Sequence, residues 1–84
     1  MRTVKEAYDF VQDAVLDTPF KIMGCIDIGD SWIFHLGDSM GSFIPPAQVY
    51  KDDNIEPDFY RGDLFTDCLD EKITCTSVPL ESII

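Results

Sequence analysis

Positive charge is what this sequence has least of. Six Lys and Arg stand against 16 Asp and Glu, a formal net charge of −10 over 84 residues. A surface of that sign repels phosphate, which excludes direct binding of nucleic acid and docking on an anionic membrane leaflet. Long apolar runs are also missing, and nothing approaches the roughly 18 residues that read as a membrane span. No apolar stretch follows Met1-Arg2-Thr3, so a secretory signal is not expected. Cysteine occurs three times, at Cys25, Cys68 and Cys75. The odd count argues against a secreted disulfide framework and for free thiols in a cytoplasmic protein, with a Cys68–Cys75 pairing left open. Metal-ligand spacing is absent too. A calcium loop starting at Asp52 would need Gly and Glu where the chain has Pro57 and Asp63. The three cysteines and His35 lack the close pairing of zinc sites. The expectation is a chain without cofactor or metal.

What the sequence does have is a substantial apolar fraction, 45%, with six Phe, three Tyr and one Trp. That is too apolar for an acidic disordered tail. A chain this short buries only roughly 60% of its unfolded surface, so a single domain spanning 1–84 with a small aromatic core is expected.

Thr3 and Glu6 stand at capping-box spacing. Val4, Ala7, Tyr8, Val11, Ala14 and Val15 follow at helical periodicity, with Lys5, Asp9, Gln12 and Asp13 on the other side. Pro19 closes the segment, which predicts a helix from about Val4 to Leu16. The period then changes to two. Phe20, Ile22, Gly24, Ile26 and Ile28 alternate with Lys21, Met23, Cys25 and Asp27. Gly29-Asp30-Ser31 reads as a turn, and Trp32, Phe34 and Leu36 form the core face of a second strand, with His35 on the opposite face. Gly37 to Gly41 is a loop. Pro45-Pro46 mark an edge or a kink in the next strand, which resumes over Ala47 to Lys51. Asp52-Asp53-Asn54 is a turn, Ile55 to Tyr60 a short Pro-containing strand, and Ile73 to Val78 a last strand, followed by a tail from Leu80. Residues 59–72 read as a helix capped by Asp63, the slightly favoured form, or as a hairpin turning at Arg61-Gly62-Asp63. The architecture is α+β, an N-terminal helix packed on a small antiparallel β-sheet.

Three motifs have bland readings that outweigh the sharp ones. Gly-Asp-Ser occurs at 29–31 and again at 37–39, in both places as turn chemistry between strands. A small hydrolase built on Ser31 or Ser39 with His35 and an Asp is a remote alternative, since a triad needs three groups converging on one cleft. Arg61-Gly62-Asp63 is a tripeptide that arises by chance.

The acids are not evenly spread. Half of them fall between Asp52 and Glu71, where eight acids face Arg61 alone. They flank Phe59, Tyr60, Leu64 and Phe65. Charge of this kind either keeps a small domain soluble or steers a basic partner onto aromatic anchors. The candidate partner-binding residues are Asp52, Asp53, Glu56, Asp58, Tyr60, Asp63 and Asp67, and no catalytic residue is assigned.

Ser31-Trp32-Ile33-Phe34, the run Pro46-Ala47-Gln48-Val49-Tyr50-Lys51-Asp52-Asp53-Asn54, and Pro79-Leu80-Glu81 are similar to segments of small bacterial immunity proteins of the YrhB type. Those proteins carry a Trp-x-Phe strand and a P-x-x-V-x-K strand after an N-terminal helix, the place held here by Ala7 and Tyr8. This chain has Ser31 and Asn54 where members often have Gly, and Phe59 to Lys72 has no counterpart. The resemblance implies a non-enzymatic protein that binds and neutralises a toxin made beside it. The expected function is therefore an acidic immunity-type protein that neutralises a cationic toxin by direct binding. The alternative is a phage-type mimic of nucleic-acid charge that inhibits a DNA-binding protein.

Overall fold

The computed structural model describes residues 1–41, 44–59 and 75–83. Helix α1 (Val4–Ala14) starts at the predicted capping box: the Glu6 N–H donates to Thr3 Oγ1 at 3.2 Å and the Thr3 N–H to Glu6 Oε1 at 3.4 Å. Ala7, Val11 and Val15 are buried beneath it, whereas Ala14, expected inward, is exposed.

Strands β1 (Lys21–Asp27), β2 (Ser31–Gly37), β3 (Ile44–Tyr50) and β4 (Thr76–Val78) form one antiparallel sheet in the order β3-β2-β1-β4. A four-residue helix, α2 (Leu80–Ile83), replaces the expected tail and buries Ile83 in the core. Gly29 takes φ 104°, the left-handed conformation that the β1–β2 turn demands. Tyr60 to Thr74, with the helix-or-hairpin alternative, lie outside the described residues, as does the Ile73–Thr74 start of the last strand.

Helix α1 covers the sheet face that carries Trp32, Phe34 and Leu36. Phe34 is fully buried on the central strand, opposite Cys25 and Ala47, and meets the Tyr8 ring edge-on at 6.4 Å. Strand β1 departs from strict alternation. A bulge at Met23 shifts the register between Ile22 and Gly24, so Ile22 and Cys25 join the core while Met23 is 65% exposed. An extra residue on one strand turns every later side chain to the other face. A second irregularity falls at Pro45-Pro46, where β3 spends three residues against two of β2. The prolines therefore bend an edge strand without ending it. The strand expected over Ile55 to Tyr60 reduces to a single bridge between Gln48 and Asp58.

Cys25 is a free thiol, and Cys75 is bonded in a disulfide whose other half lies outside the described residues. Free thiols are the expectation from the odd count, with a Cys68–Cys75 pairing left open, and among the described cysteines Cys25 is free and Cys75 is not. Burial pushes the Cys25 thiol up to about 12, with the Asp27 charge adding to the rise. The thiolate is the reactive form. Folded protein is thus expected to leave Cys25 unmodified by iodoacetamide at mildly alkaline pH, and denatured protein to label fully, as read by intact mass.

Candidate protein-binding surface

The acidic loop after β3 is closed at its base by backbone. The Gln48 N–H donates to the Asp58 carbonyl at 2.6 Å and the Asp58 N–H to the Gln48 carbonyl at 2.8 Å. Beneath it Gln48, 4% exposed, donates from Nε2 to Ser31 Oγ at 2.8 Å and accepts from the Tyr50 hydroxyl at 3.2 Å. Inside the loop the Asn54 N–H bonds to Asp52 Oδ1 at 2.9 Å and the Ile55 N–H to the Asp52 carbonyl at 3.2 Å.

Arg2 holds this loop to the start of α1. Its Nη1 donates to the carbonyls of Tyr50, Asp52 and Ile55 at 2.8, 3.0 and 3.1 Å, and its backbone N–H to the Lys51 carbonyl at 2.9 Å. A guanidinium offers rigid, charge-assisted donors, so one side chain gathers three carbonyls of the loop. Because the acceptors are carbonyls, the loop carboxylates stay on the outside. Asp52, Asp53, Glu56 and Asp58 are all exposed. Asp53 lies 3.4 Å from the Met1 amino group. The other three candidates, Tyr60, Asp63 and Asp67, lie outside the described residues.

Sequence reasoning missed two neighbours of this loop. Arg2 carried no local signal, because its partners lie 48 to 53 residues away. Phe10 did carry one, as an apolar residue outside the inward stripe of α1. It is 46% exposed and stacks on Phe59 at 6.2 Å between ring centroids, so the aromatic pair stands next to the loop's closing residue Asp58.

Behind the loop, Lys51 bridges Asp27 and Trp32. Its Nζ lies 3.0 Å from Asp27 Oδ2 and 5.3 Å from the indole centroid. Burial pushes the Asp27 carboxyl up, but the Gly29 N–H, donating at 2.8 Å, and the Lys51 ammonium outweigh it and hold the group below its ordinary value. His35, half-buried, is held below its ordinary value by burial. Both shifts mean that the unfolded chain binds protons more readily, so stability falls as pH falls. The His35 contribution is complete above 6.5 and declines below it, and that of Asp27 is complete above 3.8 and declines below that. Urea midpoints measured across pH should therefore fall in two stages. His35→Gln is expected to remove the upper stage and Asp27→Asn the lower, and coincident curves for wild type and variant would refute either assignment.

The Ser31 form of the hydrolase alternative does not bring its serine to His35. Ser31 is fully buried, accepting from Gln48 and donating to Asp30 Oδ1 at 3.0 Å. His35 lies four residues along the same strand, about 13 Å away at strand rise. Among the described residues no group of three His, Cys, Asp or Glu is placed to hold a metal, and no helix is long and apolar enough to cross a membrane. No family model, curated protein or solved structure matches the chain.

Proposed function

We propose that the chain is an acidic binding protein of the immunity type, which neutralises a cationic toxin by covering its basic surface. The observation that carries this reading is the loop from Asp52 to Asp58. Its backbone is fixed by Arg2 and the Gln48–Asp58 bridge, and it presents four exposed carboxylates in one place. A surface fixed before the encounter loses little entropy on binding, and its charge raises the rate at which a basic partner arrives. Nuclease toxins have basic grooves because phosphate is contacted by Lys and Arg, so they are the partner class with the right sign. The likeness of Ser31–Phe34 and Pro46–Asn54 to YrhB-type immunity proteins supports the same reading. The free Cys25 thiol is compatible with cytoplasmic action, whereas the Cys75 disulfide is a bond that an oxidising compartment maintains.

The test is capture from source lysate on the immobilised chain at low salt, followed by a salt ramp and an activity assay of what is released. One basic protein whose toxic or nuclease activity is abolished by adding the chain back is the expected result. A DNA-binding protein displaced from DNA by the chain would instead favour the charge-mimic alternative. Retention of nothing at low salt would leave the carboxylates as a solubilising surface and overturn the proposal.

A further inference from the structure

Phe10 is exposed in surroundings that suit few partners. It lies on the outer side of α1 with Glu6 one turn before it and Asp13 one turn after it, both exposed. Residues at these spacings are neighbours on a helix surface. Its ring stacks on Phe59, itself packed against the core and preceded in the chain by the exposed Asp58. The exposed Phe10 ring thus has acidic residues beside it on the helix surface, Glu6 sharing its carboxylate with Thr3, and its half-buried partner Phe59 follows an exposed acid in the chain. A second copy of this chain would bring like charge to like charge. A purely apolar partner would strip water from the carboxylates without replacing their hydrogen bonds.

Resting on the binding role above, we propose that the Phe10–Phe59 pair is the anchor of the interface and that it receives an arginine side chain of the cationic partner. A guanidinium is planar and weakly hydrated, so it stacks on a ring while its N–H groups fork toward flanking carboxylates. A lysine ammonium, compact and strongly hydrated, meets the carboxylates equally well and gains less from the ring.

The probes are an arginine hexapeptide and a lysine hexapeptide of equal charge, titrated into the intact chain at low salt with amide and aromatic NMR shifts as readout. Both peptides are expected to bind, the arginine peptide about two- to fivefold more tightly, with the Phe10 ring resonances among those that move. Phe10→Leu keeps an apolar, helix-compatible side chain and removes the ring. It is expected to abolish the arginine preference and leave lysine-peptide affinity unchanged, with the amide fingerprint verifying the fold. Equal affinities in the wild type, or a preference that survives Phe10→Leu, would overturn the anchor while leaving the acidic binding role intact. Failure of both peptides to bind would overturn the anchor and the binding role together.

Discussion

Phe34→Ala is expected to cost about 3–5 kcal/mol, the usual range for emptying a phenylalanine site in a core that cannot collapse around it. Here collapse is blocked on every side. Phe34 is fully buried on the central strand between β1 and β3, with the Tyr8 ring of α1 above it. Total stability for a domain of this length is on the order of 5–10 kcal/mol. One side chain therefore holds a large share of it. With a urea dependence of about 1 kcal/mol per molar for a small domain, the midpoint should move down by about 3–5 M. Trp32, 6% exposed in the same cluster, reports the transition by fluorescence. Met23→Ala is the matched control. That residue is 65% exposed, and its midpoint should stay within the spread of ordinary surface changes. A Phe34→Ala midpoint within that spread would show that the sheet and helix are not held together through this ring.

Replacing Asp52, Asp53 and Asp58 by Asn and Glu56 by Gln is expected to slow association with the captured cationic partner by about tenfold or more at low salt. Dissociation should change far less, because exposed charges act chiefly on the encounter. The difference should shrink as salt is added, the screening length being about 10 Å at 0.1 M. The loop backbone should hold, because Arg2 binds the carbonyls of Tyr50, Asp52 and Ile55 and not their side chains, and the exposed Met1–Asp53 pair contributes no more than about 1 kcal/mol. The Asn54 N–H that bonds to Asp52 Oδ1 finds the same acceptor in an Asn side chain. Stopped-flow association across a salt series gives the answer. Identical rates for variant and wild type would remove this loop from the interface.

The parts of the fold that could be read from the sequence are those set by local chemistry. Thr3 and Glu6 cap α1 through groups three residues apart, and Gly29 turns the hairpin through its own backbone freedom. Trp32, Phe34 and Leu36 alternate onto the core because nothing interrupts β2. The misreading of β1 has a local cause. The bulge at Met23 adds a residue that strict alternation does not foresee, which turns Cys25 to the core face instead of the one alternation gives it. The acidic loop was legible as a turn with exposed carboxylates, since Asp and Asn serve turns wherever they occur. Its rigidity was not legible, because Arg2 and the Gln48–Asp58 bridge act across distances that no local pattern encodes. Phe10 was legible in principle, as the apolar residue left over once the inward face of α1 had been filled.

The sheet order β3-β2-β1-β4 also bears on how the chain leaves the ribosome. The first three strands are contiguous in sequence and can pair as they emerge, but among the described residues the outer edge of β1 gains its neighbour from Thr76–Val78. Through most of synthesis the nascent protein carries an open strand edge at Cys25 to Asp27, a template for pairing with another chain. Stop codons or proteolysis shortly before Thr76 would therefore yield fragments that assemble edge to edge. Ribosome stalling late in the message would be a source of aggregates, even though the finished chain carries so much negative charge.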